Sequence, residues 1–346
     1  MIKPLAIHDC PLSFSDRWLE YCREKNIEYR IVDCFSSDII DQLRDCSALL
    51  WHWGLRQPQS FIIARSVIAA AEAMGLKVFP NTATAWHYDD KLAQKYLLEA
   101  IGAPLVETTV FYNEDDARKW LAAAEFPLVF KLRSGSASAN VRLVKSRGEA
   151  INLCRQAFRS GFRSVPGYFY DTPRKLSNIR NLNNFMEKLK RLPKAWQKIM
   201  MTRNLVPLEK GYIYFQKFIP DNLFDIRVTV IGGRAFAFTR DVRPHDFRAS
   251  GSGFCDYDRA KIPMDCIKAA FEITGKINAQ SLACDFIQDA AERVLITEIS
   301  YGYQRLNIAE APGHWNQKLE WQSGSMAAED AILEDLMEDL NRTHRS

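Results

Sequence analysis

A chain of 346 residues, 47% hydrophobic and 12% aromatic, carries enough apolar material for two or three packed units, which excludes a disordered or fibrous protein. Its 46 basic and 42 acidic residues leave a net charge of +4, too small a total to argue for nucleic acid. No apolar run approaches the roughly 18 residues of a membrane span, and the N-terminal MIKPLAIHDCPLSFSD lacks a charged leader ahead of an apolar core. The expectation is a cytoplasmic protein without a transmembrane segment, whose eight cysteines stay reduced.

From the start of the chain, apolar strands alternate with amphipathic helices: PLAIHD, DRWLEYCREK, EYRIVD, SDIIDQLRD, ALLWHW, FIIARSVIAAAEAMG and KVFP. This alternation predicts a parallel sheet with helices on its faces, a Rossmann-like β/α domain over 1–88. No GxGxxG follows the first strand, which argues against a dinucleotide site. Cys10, Cys22, Cys34 and Cys46 recur every twelve residues, but their flanks do not repeat and zinc ligands come in closer pairs, so the spacing reads as coincidence. His8 and His52, at strand ends, and His87 could line a cleft or be satisfied structural histidines. Trp51, Trp53 and Trp86 could stack on sugar rings or pack a core.

From Asp89, DDKLAQKYLLEAIG predicts a helix stopped by Gly102, and PLVETTVFY a strand leading to a helix capped by Asn113. PLVFKLRSGSASANVRLV then sets Lys131 inside an apolar strand, ahead of Ser134, Gly135, Ser136, Ala137 and Ser138. A desolvated ammonium is costly unless an anion meets it, and small residues let backbone N–H groups approach phosphate oxygens. Strand and loop together read as a phosphate cradle; the alternative is a solvated lysine on an edge strand with a loose hairpin.

After a helix near 147–160 the chain turns polar and basic over 161–210, which reads as a helical insertion. Between 151 and 210 there are thirteen basic residues and three acidic ones, a surplus of ten that leaves the rest of the chain at −6. Such a concentration suits an anionic partner, an acidic glycan or a lipid-linked sugar pyrophosphate, or is a solvated arm balancing an acidic body. Few aromatics interleave the charges and no recognition motif is present, which argues against RNA.

Strands resume with YIYFQKFI, DIRVTVIG and RAFAFTRDV, followed by the loop HDFRASGSG, a helix near 259–275, the strands SLACDFIQD and RVLITEIS, and a final helix, AAEDAILEDLMEDL. Asp285 and Glu298 each sit inside an apolar strand, where an unpaired carboxylate is expensive. Two adjacent strands pushing carboxylates into one place suit magnesium, which takes one or two carboxylates plus substrate phosphates. The alternative is ion pairing with Arg227 or Arg240. YFQKFIPDN reads as a connector whose backbone could face a purine, with Asp225 accepting from ribose hydroxyls. No GxSxG or HExxH competes.

In this order Lys91, Lys131, the stretch Gln216 to Ile219, Asp225 with Arg227, Arg240, Asp285 and Glu298 resemble the ATP-grasp superfamily of carboxylate–amine ligases, over nearly the whole chain. WHYDDKLAQKYLLEAIGAP, VFKLRSGSASANVRLV, VRPHDFRASGSG and EISYGY followed by APGHWNQKLEW look like a bacterial subgroup associated with cell-surface polysaccharide biosynthesis. The resemblance implies an α/β ATP-grasp fold: an N-terminal domain over 1–88, a central lobe over 89–214 that includes the insertion, and a C-terminal lobe over 215–346. It implies ATP and Mg2+, with Lys91 and Lys131 on the α- and β-phosphates beneath a loop of Ser134, Gly135, Ser136 and Ser138. It sets adenine against the backbone of Gln216, Lys217 and Ile219, ribose on Asp225, and magnesium on Asp285, Glu298 and Ser300. Arg227, Arg240 and Arg248 form the implied catalytic set, Arg240 over the reacting carbonyl and Arg248 toward the γ-phosphate or substrate; the alternative for Arg240 is a simple pairing with Asp241 or Asp225.

Two positions depart from the family pattern. The loop has fewer glycines than usual, and Ser300 stands where asparagine commonly serves as a further metal ligand. The implied activity is activation of a carboxylate as an acyl phosphate and its joining to an amine, on a sugar or uronic acid of a surface polysaccharide. Phosphate transfer to a hydroxyl and ATP binding without turnover are the alternatives.

Overall fold

The computed structural model describes residues 3–54, 56–135, 140–163, 208–242, 247–249 and 255–343. Ser136, Ser138 and most of the expected insertion therefore lie outside the described residues. The chain divides into two compact units, one made of 1–88, 96–105 and 221–346, the other of 89–95 and 106–220. The expected first segment and residues 221–346 of the third thus share one unit, which also takes 96–105 from the expected central lobe, while 215–220 fall in the other.

The first unit begins with four parallel strands, β1 (Leu5–His8), β2 (Tyr29–Val32), β3 (Ala48–Leu50) and β4 (Lys77–Phe79), in the order β2-β1-β3-β4. Side chains alternate between its faces, as the pleat requires. Leu5, Ile7, Leu50 and Phe79 join the core formed with helices Phe14–Glu24 and Ala328–Thr343, while Ala6, Leu49 and Val78 meet helix Ser60–Ala73 on the other side. Helices on both faces explain why these strands read as continuous apolar runs. Trp51 and Trp53 are fully buried in that second core, so they pack rather than stack on a sugar; Trp86 is 41% exposed. Cys10, Cys22, Cys34 and Cys46 are buried thiols outside any disulfide. Among the described residues no three His, Cys, Asp or Glu side chains cluster as a metal site.

In the second unit β5 (Thr108–Phe111), β6 (Leu128–Lys131), β7 (Val141–Val144) and β10 (Ile213–Lys217) form an antiparallel sheet in the order β5-β10-β6-β7. Two short strands, β8 (Phe162–Arg163) and β9 (Leu208–Glu209), pair where the basic segment leaves and returns. Helices Glu114–Leu121 and Arg147–Phe158 cover one face of the sheet, burying Leu128, Phe130, Ile213 and Phe215. Asn113 caps the first of them by accepting the Asp116 N–H at 2.8 Å. By alternation the other face carries Lys131, Tyr214 and Gln216.

The rest of the first unit is one antiparallel sheet. It is built from β11 (Phe224–Ile231), β12 (Arg234–Asp241), β14 (Ser281–Gln288), β15 (Val294–Ser300), β16 (Gly313–Asn316) and β17 (Trp321–Ser323), in the order β15-β14-β11-β12-β16-β17. A short strand, β13 (Cys255–Asp256), pairs with β12. Helix Met264–Ile277 covers the face that carries Ile226, Val228, Leu282, Cys284, Phe286 and Ile296. Among the described residues no helix is long and apolar enough to cross a membrane.

Candidate active site

Opposite helix Met264–Ile277, the large sheet gathers charge. Register sets Asp225 across from Arg240, Arg227 across from Asp285, and Asp285 across from Glu298. A strictly regular β15 would turn Ile296 and Glu298 to the same side. Ile296 pairs with Phe286 and packs against the helix, whereas Glu298 pairs with Asp285, because the register shifts by one at Thr297. The irregularity turns the glutamate to the charged face, and Ser300, two residues on, follows it. Thr297 fixes the bulge by donating its hydroxyl to the Asp285 carbonyl at 3.1 Å.

The charges are paired. Arg227 grips Asp285 with both prongs, Nε at 2.7 Å and Nη2 at 2.8 Å. Arg240 grips Asp225 in the same way, at 2.7 and 2.5 Å, and its Nη2 also lies 2.9 Å from Asp285. Asp285 and Arg240 are each 6% exposed. Burial works to raise the Asp285 carboxyl, but two guanidiniums overcome it and hold the group well below the usual carboxylate range. Asp225 goes the other way: burial, with the neighbouring Asp285, outweighs Arg240 and the more weakly acting Arg227 and pushes it up. Two carboxylates and two guanidiniums balance, which makes so buried a cluster tolerable.

These residues fit a magnesium ion in donor type, because Asp285 and Glu298 offer hard carboxylate oxygens from facing positions. Asp285 Oδ1 takes a single bond, from Arg227, and a carboxylate oxygen has two lone pairs. Ser300 is committed locally: its hydroxyl donates to the Gly302 carbonyl and accepts the Gly302 N–H, both at 3.1 Å.

In the second unit the chain leaving Lys131 is tethered at every turn. Arg133 donates its N–H to the Tyr212 hydroxyl at 2.7 Å, and its carbonyl accepts the Lys91 N–H at 2.9 Å. The Ser134 carbonyl accepts from Asn140 Nδ2 at 3.0 Å, and the Ser134 hydroxyl donates to Glu209 at 2.8 Å. Gly135 donates its N–H to Asp89 at 2.9 Å and accepts the Lys91 ammonium on its carbonyl at 2.8 Å. Gly135 has φ +119, and a Cβ there would lie 2.2 Å from Asn140 Nδ2, so the position requires glycine. Lys91 thus holds the loop through its ammonium, a duty the sequence reading did not give it. Lys131 is 6% exposed, on the sheet face away from the helices, which answers against a solvated edge lysine.

Gln216 shares that face and donates to the Thr108 hydroxyl at 3.1 Å. Its neighbour Lys217 points to the opposite face, where with Trp120 and Phe215 it lines a cavity of about 240 Å³. Ile219 lies beyond the end of β10. Arg248 lays its guanidinium 5.8 Å from the centre of the Phe247 ring. Asp89, Asn140, Glu209 and Tyr212, which hold the loop, went unnoticed in the sequence. Of these only Glu209 left a trace, as one of the three acids among the basic residues.

No family model matches the chain, and no curated protein matches it by sequence. Solved structures do. The D-alanine–D-alanine ligase from Bacillus anthracis aligns over 100% of this chain and 99% of its own, with TM-score 0.58 and 13% identity. The D-cycloserine synthetase DcsG aligns over 96% and 99%, with TM-score 0.58 and 14% identity. A RimK domain ATP-grasp protein from Sphaerobacter thermophilus aligns over 86% and 90%, with TM-score 0.50 and 15% identity. Likeness over both whole chains, at identities this low, speaks to architecture alone: the chain has the ATP-grasp fold.

Proposed function

We propose that the protein is an ATP-dependent carboxylate–amine ligase. The observation that carries this reading is the facing pair Asp285 and Glu298, backed by Arg227 and Arg240 on one sheet face of an ATP-grasp fold. The solved structures of that fold include one of D-alanine–D-alanine ligase complexed with ATP.

In this reading Lys91 and Lys131 hold the α- and β-phosphates, and the segment from Ser134 onward covers them. Gln216, Lys217 and Ile219 offer backbone to adenine, and Asp225, shared with Arg240, faces ribose. Asp285 and Glu298, with Ser300 as a weaker third, would hold magnesium, which would supply charge neutralisation for phosphoryl transfer. A substrate carboxylate oxygen attacks the γ-phosphorus and ADP departs, leaving an acyl phosphate. The amine nitrogen then attacks the acyl carbon, loses a proton, and expels phosphate. Arg240 uses Nε and Nη2 in its ion pairs, and Nη1 remains to meet the oxyanion that forms at that carbon. Arg248 serves the γ-phosphate or the substrate.

The proposed carboxylate belongs to a uronic acid or similar sugar of a surface polysaccharide, the amine to an amino acid or small amine, and the setting is the cytoplasm. ADP release, measured with amino acids and amines crossed against uronic acids, nucleotide sugars and oligosaccharides, tests the proposal. Release that requires both a carboxylate and an amine supports ligation. Release that is independent of amine moves the reading to phosphate transfer onto a hydroxyl, and tight ATP binding without release under any mixture moves it to a binding protein.

A further inference from the structure

Among the described residues of the second unit Glu209 is the most deeply buried carboxylate, at 2% exposed, and it stands at the stem of the basic segment rather than in any expected site. Its Oε1 accepts the Ser134 hydroxyl at 2.8 Å, and its Oε2 accepts the Tyr212 hydroxyl at 2.9 Å with Arg133 Nε at 3.5 Å. The Tyr212 oxygen in turn accepts the Arg133 N–H. One carboxylate therefore orients the backbone of Arg133 and the side chain of Ser134, the two residues that carry the chain from Leu132 toward the loop.

We infer that Glu209 is a positioning residue for nucleotide binding, holding the 133–135 segment in the form that receives the triphosphate. A buried carboxylate without partners is costly, and here both oxygens are engaged. The direction they take is the stalk of the loop. A glycine-rich loop loses freedom when it closes on phosphates; here the 133–135 stem of the loop is tied beforehand, through Glu209, Tyr212 and Asp89. The effect belongs to nucleotide affinity, not to the chemical step. The inference rests on the proposed ATP reading, and it gives Ser134 a second partner besides phosphate.

Calorimetric titration with Mg-ATP tests it on wild type, Lys131→Ala, Ser134→Ala, Glu209→Gln and the double variant Ser134→Ala/Glu209→Gln. The expected result is a loss of about tenfold in affinity for Glu209→Gln and several-fold for Ser134→Ala, with the double variant no weaker than Glu209→Gln alone, since both cut one tether. Ser134 is half-buried, so its variant reads the tether even if Glu209→Gln folds poorly; its melting temperature should match wild type. Additive losses would overturn the inference, because Ser134 would then act independently of Glu209. So would wild-type affinity in both single variants while Lys131→Ala binds weakly, a pattern that leaves the ATP reading standing. Failure of the wild-type protein to bind Mg-ATP would remove both.

Discussion

Asp285 and Glu298 stand directly opposite each other on β14 and β15 only because the register shifts at Thr297. Remove the shift and Glu298 would turn toward the apolar core beneath helix Met264–Ile277, where a carboxylate has no business. The bulge is thus a positioning device, and the pair it makes is the most direct target for a test.

Glu298→Gln keeps the shape and deletes the charge. If Glu298 holds magnesium, ATP turnover should collapse by about a hundredfold or more while the melting temperature stays within about 2 °C. A large fall in melting temperature with retained turnover would make it a structural ion-pair partner. Ser300→Asn, which restores an amide oxygen, should leave turnover intact or raise it, although the new side chain must give up the paired bonds to Gly302.

Lys131→Ala removes an ammonium that the sheet has already desolvated. Charge-assisted hydrogen bonds to a triphosphate are worth about 2–4 kcal/mol, so ATP affinity should drop at least about tenfold by calorimetry. Unchanged affinity would take Lys131 out of the phosphate site.

Arg227→Met leaves Asp285 with Arg240 alone. Breaking a buried pair by removing one partner costs about 3–5 kcal/mol, read as a fall in the denaturant midpoint. The pH dependence should change as well. A carboxyl depressed in the folded state adds stability that is full above its unfolded value, near about 3.9, and is lost as pH falls through the folded one. The wild-type protein should therefore weaken steeply in strong acid, and the variant less steeply.

His52 acts in the opposite range. Burial, helped by the charge of Arg56, pushes it down to about 3, and it lies flat against Phe14 with Nδ1 on the Ser13 hydroxyl at 3.0 Å. Between about 3 and the unfolded value of 6.5 only the unfolded chain binds the proton, so stability rises with pH across that window and is lost as pH falls. By about pH 5 the loss is about 2 kcal/mol for this residue. His52→Phe should flatten the urea midpoint between about pH 7 and pH 5; an unchanged slope would show that His52 is not the group responsible. His87, pushed down to about 4 by burial, adds a second contribution that the variant leaves in place.

What the sequence made legible was whatever depends on local pattern. Alternating apolar runs located β1 to β4, and Asn113 announced its own cap. Lys131, Asp285 and Glu298 stood out because charge inside an apolar strand is costly. Pairing of Asp285 with Arg227 or Arg240 was the alternative reading of the strand-borne carboxylates, and the structure shows it; the pairing of Ser134 with Glu209 stayed hidden, because it joins residues 75 positions apart. The bulge at Thr297 has no signature in composition at all. Lys91 entered only through the family resemblance, as a phosphate ligand, and its partner here, the Gly135 carbonyl, is a backbone atom that writes nothing into the sequence.

The basic segment offers the last test, and its charge alone sets the expectation. Ten surplus positive charges between 151 and 210 sit on a chain whose remainder is at −6, so an anionic acceptor would be drawn to that segment and repelled from the rest. Most of the segment lies outside the described residues, so the variants are chosen from the sequence: Lys188, Lys190 and Arg191, each changed to glutamate. If the segment recruits the acceptor, the Michaelis constant for that acceptor should rise and its dependence on salt should flatten, since attraction between exposed charges is screened beyond about 8 Å at physiological ionic strength. ATP affinity should stay put, because the change leaves Lys91, Lys131 and Glu209 untouched. Equal kinetics for both proteins at low and moderate salt would sink the docking role and leave the segment as a solvated counterweight to an acidic body.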